Sequence, residues 1–156
     1  MKSSLVAVGK RMPGWVDEGF KEYNKRLPKD LRLHLIEVTP VNRSKTGSEQ
    51  NIIKEEDKRI RAAIPNRSFV IVLDDNGKHF TSLKLARNLE DWRKSGRDIT
   101  FVIGGADGLH DRFIQEADLI WSLSGLTLPH TLVRIILAEQ IYRAWSITQN
   151  HPYHRE

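Results

Sequence analysis

Phe69, Val70, Ile71, Val72 and Leu73 are five consecutive apolar positions, three of them β-branched, closed by Asp74 and Asp75. A strand with one wet face alternates apolar and polar residues. A continuous short run belongs to a strand buried on both faces, the condition of a parallel sheet covered by helices on each side. Ile99–Ile103 repeats the pattern and is cut off by Gly104 and Gly105. No run of 18 apolar residues exists, so a transmembrane helix is excluded.

The remaining elements alternate around these two strands. Ser4–Val8 predicts a first strand, and Val16, Phe20, Tyr23 and Leu27 follow at helical spacing up to Pro28. Leu31–Val38 reads as a half-buried strand. Residues 41–50 read as a polar, basic loop in which Thr46 and Glu49 suit a capping box. Ile53, Ile60 and Ile64 mark one face of a charged helix. The sequence from Asp74 to Gly77 predicts a turn, and Thr81 or Ser82 caps a helix carrying Leu85, Leu89 and Trp92. A weak helix over 109–116, a strand over 119–123, and a helix over 130–147 complete the chain. Five strands alternating with five helices predict an α/β fold. Its sheet is mainly parallel, five- to six-stranded, with helices on both faces, in a single domain over residues 1–156.

Ligands of open parallel sheets bind beyond the carboxyl ends of strands. Three loops qualify: after Leu73, after Ile103 and after Trp121. Gly104, Gly105 and Gly108 allow close backbone approach to a ligand, and serve an ordinary strand-to-helix turn equally well. They match neither the dinucleotide fingerprint nor the P-loop. The stretch from Trp121 to His130 is too apolar for an exposed loop. It reads as a buried crossover or as the wall of a pocket for a flat heterocycle, whose edge the backbone reads.

Two further segments stand out. The last helix is apolar almost all round, and a helix of that kind needs burial all round. Its outer side is expected to meet a second subunit. The tail from His151 to Glu156 holds two histidines, a tyrosine and an arginine. It reads either as a frayed terminus or as a substrate-facing segment, with aromatic rings for stacking and a guanidinium for phosphate. As a metal site it lacks a third ligand, and no metal is expected.

Charge narrows the partner. Residues 1–100 carry 21 basic and 14 acidic side chains, and residues 101–156 carry 4 and 6, within a net charge of +5. The basic excess suits a nucleic acid and suits a solvated surface equally. The absence of cysteine removes disulfides, thiolate metal sites and cysteine nucleophiles, and fits a cytoplasmic protein.

Several of these segments together resemble one family. They are Leu123 and Ser124, Leu126 through His130, Leu132 to Arg134, Ala138 through Trp145, and Asn150 to Arg155. Leu5 to Gly9, Leu73 and Asp74 with Gly77 and Lys78, and Gly104 and Gly105 with Gly108 extend the likeness over the whole chain. The family is the ribosomal RNA large-subunit methyltransferase H family, a minimal branch of the SPOUT, or trefoil-knot, methyltransferases. The resemblance implies methylation of N3 of a pseudouridine in large-subunit ribosomal RNA. It implies S-adenosylmethionine as donor and a homodimer acting on assembled ribosomes. It also implies a C-terminal knot, with the segment around 123–148 threaded through a loop, although chain connections almost never thread.

By position, the resemblance assigns cofactor contacts to Leu73, Gly104, Leu123, Ser124, Gly125, Leu126, Thr127 and Leu128. His154 and Tyr153 become the candidates for the chemistry, with Glu139 a further candidate for the proton. Arg143 and Arg155 become substrate-binding candidates. Gly125 stands where the family has alanine, which loosens the loop. The reading from another class is a non-catalytic ribosome- or RNA-binding domain.

Overall fold

The computed structural model describes residues 1–42 and 48–154. Its strands are β1 (Ser3–Val8), β2 (Leu33–Val38), β3 (Phe69–His79), β4 (Ile99–Ile103) and β5 (Leu119–Ser122). Its helices are α1 (Gly14–Asn24), α2 (Glu49–Ala63), α3 (Ser82–Ser95), α4 (Asp111–Glu116) and α5 (His130–Thr148), followed by a 3-10 turn at Pro152–His154. The five strands form one sheet in the order β2-β1-β4-β3-β5, and every pairing is parallel.

The pleat divides the core in two. Leu5, Ala7, Ile71, Phe101 and Ile103 point to one face, where Phe20 of α1, Leu85 and Leu89 of α3, and Leu137 and Ile141 of α5 cover them. Val6, Val8, Val72 and Val102 point to the other, against Ile60 of α2 and Phe113 of α4. All five residues of β4 are buried, as a strand between two helical layers requires.

Several sequence expectations shift. The helix opened by residues 48–51 takes its cap from Ser48, whose side chain accepts the Asn51 N–H at 3.2 Å. Thr46 lies outside the described residues. The inward face of α2 is Ile52, Glu56 and Ile60, one residue away from the face expected at Ile53. Leu31 is buried in a turn on Pro28 rather than in β2. The turn expected at Asp74–Gly77 is a bulge inside a longer β3: Leu73 and Lys78 both register against Trp121, and the residues between loop out. Asp74 Oδ1 accepts the Asn76 N–H at 2.8 Å and folds the bulge on itself. At Gly77 a Cβ would lie 2.7 Å from backbone atoms of Ile120 and Trp121, so glycine alone permits this approach.

The last helix finds its partners within the chain. α5 packs against both α1 and α3, with Leu137, Ala138, Ile141, Tyr142 and Ala144 buried. Ile135 faces α1, where it occupies the space a Cβ on Gly19 would need, its Cδ1 at 2.8 Å. Two helices and the sheet cover one side of the apolar circumference, while Leu132 stays exposed and Val133, Ile136, Trp145 and Ile147 stay half-buried. Among described residues, no helix is long and apolar enough to cross a membrane.

Candidate active site

Three loops converge at the carboxyl ends of β3, β4 and β5. They enclose a pocket of about 370 Å³ with Leu73, Gly104, Leu123, Ser124, Leu126, Thr127 and Leu128 in its wall. The helices after β3 and β5 lie on one face of the sheet, and the helix after β4 lies on the other. The loops therefore part over the strand ends and leave a crevice. Of the eight residues expected to hold a cofactor, only Gly125 stands outside the wall. A Cβ there would meet nothing within 4 Å, so the alanine expected at this position fits without strain.

The 123–128 loop is not a buried crossover. Gly125, Leu126 and Thr127 are exposed, and Leu126 keeps 74% of its surface in water. Short polar contacts shape it. Ser122 donates its hydroxyl to the Ser124 carbonyl at 2.9 Å, and Ser124 Oγ accepts the Leu126 N–H at 2.9 Å. Thr127 reaches Asp75 of the β3 bulge at 3.4 Å. The bulge thus brings Asp74 and Asp75 into the pocket wall, which sequence spacing had assigned to a turn. His130, the first residue of α5 and the end of the stretch read as a pocket wall, lines the pocket too; Leu109 also lines it and was not anticipated. Gly104 packs tightly, since a Cβ there would lie 2.8 Å from Leu109 Cγ.

Arg134 is the buried charge that sequence reasoning passed over. It is 1% exposed; Nη1 donates to Glu37 Oε2 at 2.8 Å and Nη2 to the Gly9 carbonyl at 3.0 Å. This pairing ties the first turns of α5 to the ends of β1 and β2, just behind the pocket. The signal in the sequence was a lone arginine amid Leu132, Val133, Ile135 and Ile136.

The described tail residues lie elsewhere. Tyr153 stacks edge-on against Tyr142 at 4.6 Å, and its hydroxyl donates to Glu139 Oε2 at 3.2 Å. Arg143 pairs with Glu139 at 3.2 Å and lies over the Tyr153 ring at 5.1 Å. Burial, reinforced by the Glu139 carboxylate, pushes the Tyr153 phenol up to about 12. Tyr153 is therefore a hydrogen-bond donor at neutral pH and not a base in this arrangement. His154 sits in the 3-10 turn that Pro152 opens, a helical turn the proline had argued against. Its Nδ1 is buried without a hydrogen-bond partner. Arg155 lies outside the described residues.

α5 separates the two groups. Its first turns, with His130 and Val133, border the pocket, and the tail folds back on its later turns, where Tyr153 meets Glu139 and Tyr142. One chain brings Leu73, Gly104 and residues 123–128 together. It does not bring Tyr153, His154 or Arg143 to them.

A family model described as "Predicted SPOUT methyltransferase" matches residues 1–154. A protein of Herminiimonas arsenicoxydans named "Ribosomal RNA large subunit methyltransferase H" is 52% identical over 155 residues, covering 99% of both chains. Proteins of the same name from Janthinobacterium sp. (strain Marseille) and Burkholderia thailandensis are 50% and 52% identical over the same length, with the same coverage. Among solved structures, a probable methylase family protein from Haemophilus influenzae Rd KW20 superposes with a TM-score of 0.59 at 12% identity. It covers 99% of this chain and 70% of that one, a likeness of fold. The full-length family match and the relatives at about 50% identity make this chain a methyltransferase. The chain belongs to the SPOUT methyltransferase family.

Proposed function

We propose that this chain, as a single domain over residues 1–156, transfers a methyl group from S-adenosylmethionine to N3 of a pseudouridine in large-subunit ribosomal RNA. It acts as a cytoplasmic homodimer on assembled ribosomes. The observation that carries the reading is the convergence of Leu73, Gly104 and the 123–128 loop on one pocket, in a chain 52% identical to a named ribosomal RNA large subunit methyltransferase H. Threading of the 123–148 segment through the preceding loop belongs to the same reading.

The pocket suits the donor chemically. Apolar Leu73, Leu123 and Leu128 supply surfaces for an adenine ring, and the irregular loop backbones supply edge partners. The donor is a cation, and the charged side chains of the wall are Asp74 and Asp75, with neither lysine nor arginine among them. S-adenosylmethionine supplies an electrophilic methyl on a sulfonium, so the chain needs mainly to position the acceptor nitrogen and take up its imide proton. Imidazole is the side chain most often used to take up a proton in catalysis, so His154 is the residue suited to that role, and water is its alternative. Tyr153, held protonated, orients Glu139. Arg143 and Arg155 serve the RNA. Since Arg143, Tyr153 and His154 do not line the pocket of their own chain, the tail of one protomer works on the pocket of its partner.

Transfer of labelled methyl to large subunits lacking the modification, alongside calorimetric titration with S-adenosylmethionine, tests the reading. Ribosome binding without S-adenosylmethionine binding would make the chain a non-catalytic RNA-binding domain.

A further inference from the structure

Glu56 is a carboxylate in the wrong place for a surface helix. It is 5% exposed on the inner face of α2, and its Oε2 accepts the Val41 N–H at 3.1 Å. Oε1 is buried with no hydrogen-bond partner among the described residues. It stands against Gly105, where a Cβ would lie 2.7 Å away. A buried acceptor left unsatisfied costs more than one hydrogen bond contributes, so its retention asks for a donor.

Glu56 lines a recess of about 130 Å³ between the ends of β1 and β4. Those neighbouring strands send their chains to opposite faces of the sheet, α1 to one and α4 to the other. Such a reversal opens a ligand crevice. The recess shares Gly105, Ala106 and His130 with the donor pocket. On its other side it shares Pro40 and Val41 with a surface groove of about 710 Å³ between α2 and the 39–42 segment. Among the described residues, the charged groups of that groove are Lys54, Lys58, Arg59 and Glu55. Lys54 and Lys58, one turn apart, are exposed. Arg59 donates to the Thr39 carbonyl at 2.8 Å and pins the groove's two walls together. Groove, recess and donor pocket therefore adjoin one another across shared walls.

We propose that the groove carries the RNA backbone, with Lys54 and Lys58 on phosphates, and that the recess receives the base to be methylated, an N–H of which donates to Glu56. This rests on the methyl-transfer reading above and adds the route by which substrate reaches the donor. The basic groove matches a polyanion, the recess admits something flat and small, and the orphan carboxylate selects a base edge bearing N–H.

Three full-length proteins test it: wild type, Lys54→Ala/Lys58→Ala, and Glu56→Gln. Each is titrated with S-adenosylhomocysteine and assayed on large ribosomal subunits lacking the methyl group over a range of salt. The double variant should raise KM about tenfold at moderate salt with kcat retained. Its binding should lose about 1.4 from the salt slope, the share of two phosphates on a single strand. Glu56→Gln should lower kcat about 10- to 100-fold, the worth of one hydrogen bond to a charged group, with S-adenosylhomocysteine affinity unchanged. Wild-type KM and salt slope in the double variant would overturn the groove. Wild-type kcat in Glu56→Gln, or a parallel loss of S-adenosylhomocysteine affinity, would overturn the recess. Should Glu56→Gln not fold, ultraviolet crosslinking of the intact wild type to subunits decides: crosslinks in α2 support the route, and crosslinks elsewhere only overturn it. Failure of wild type itself to bind S-adenosylhomocysteine or to methylate subunits would instead undo the underlying reading.

Discussion

At the scale of single residues, the pocket depends on side chains that are absent as much as on those present. Gly104 already packs on Leu109, so Gly104→Val drives Leu109 toward the pocket and removes space a ligand needs. Its φ lies outside the left-handed region, so valine is compatible with the backbone. The expected outcome is a folded protein by circular dichroism whose S-adenosylmethionine binding is lost in calorimetry; normal affinity would sink the pocket assignment. Tyr153 gives a second residue-scale prediction. Its folded value of about 12 exceeds the ordinary 10, so its neutral form stabilises the docked tail through neutral pH. That contribution falls as pH rises from about 10 toward 12, where the unfolded phenol ionises first. An ultraviolet titration of the phenols should show one late-ionising group that Tyr153→Phe removes.

At the scale of elements, local signals and close contacts divide the work. Thr81 Oγ1 accepts the Lys84 N–H at 3.1 Å, and Gly96 ends α3 at φ 68°, so this helix is delimited by its own sequence. The β3 bulge is the opposite case. Asp74, Asp75, Asn76 and Gly77 have turn chemistry, yet pairing with β5 resumes at Lys78 and draws the strand on to His79. Because the atoms facing Gly77 are backbone, Gly77→Ala cannot be relieved by a rotamer change. It should cost about 1–3 kcal/mol in chemical denaturation, the usual range for overpacking, and weaken donor binding through Asp74 and Asp75. Stability equal to wild type would show that the bulge shifts without cost.

At the scale of the whole molecule, α5 connects the two ends of the proposed chemistry. Arg134 fastens its first turns to β1 and β2. Arg134→Met should cost about 3 kcal/mol, the low end for breaking a buried pair, because Glu37 keeps a third of its side chain in water. Urea unfolding checks this, and a change below about 1 kcal/mol would contradict the anchoring role. The far end of α5 makes a claim about assembly. Deleting residues 151–156 should leave S-adenosylmethionine affinity intact and reduce methyl transfer by a factor of about 100 or more. Mixing tail-deleted chains with Gly104→Val chains should restore some activity, because a heterodimer contains one intact pocket facing one intact tail. Sedimentation showing a monomer at micromolar concentration, or no rescue on mixing, would refute a shared site.

The layered α/β class and the order of elements, with three loops at the strand ends, were legible along the chain. Each depends on signals that neighbours in the chain supply: the unbroken runs at Phe69–Leu73 and Ile99–Ile103, the cap at Thr81, the stop at Gly96. Leu73, Gly104 and 123–128 were legible because strand ends and apolar loops are local features, and because the whole chain resembles one family. Only the tertiary structure decided the rest. Glu56 looked like one more charge on a charged helix until α2 turned it against Gly105. Arg134 looked out of place until Glu37 and the Gly9 carbonyl, distant in sequence, met it behind the pocket. The tail was legible as chemically rich, but only the fold set Tyr153 against Glu139 and Tyr142 rather than in the pocket wall. Burial and pairing across the fold follow from how helices lie on the sheet, and that arrangement is a property of all the contacts together.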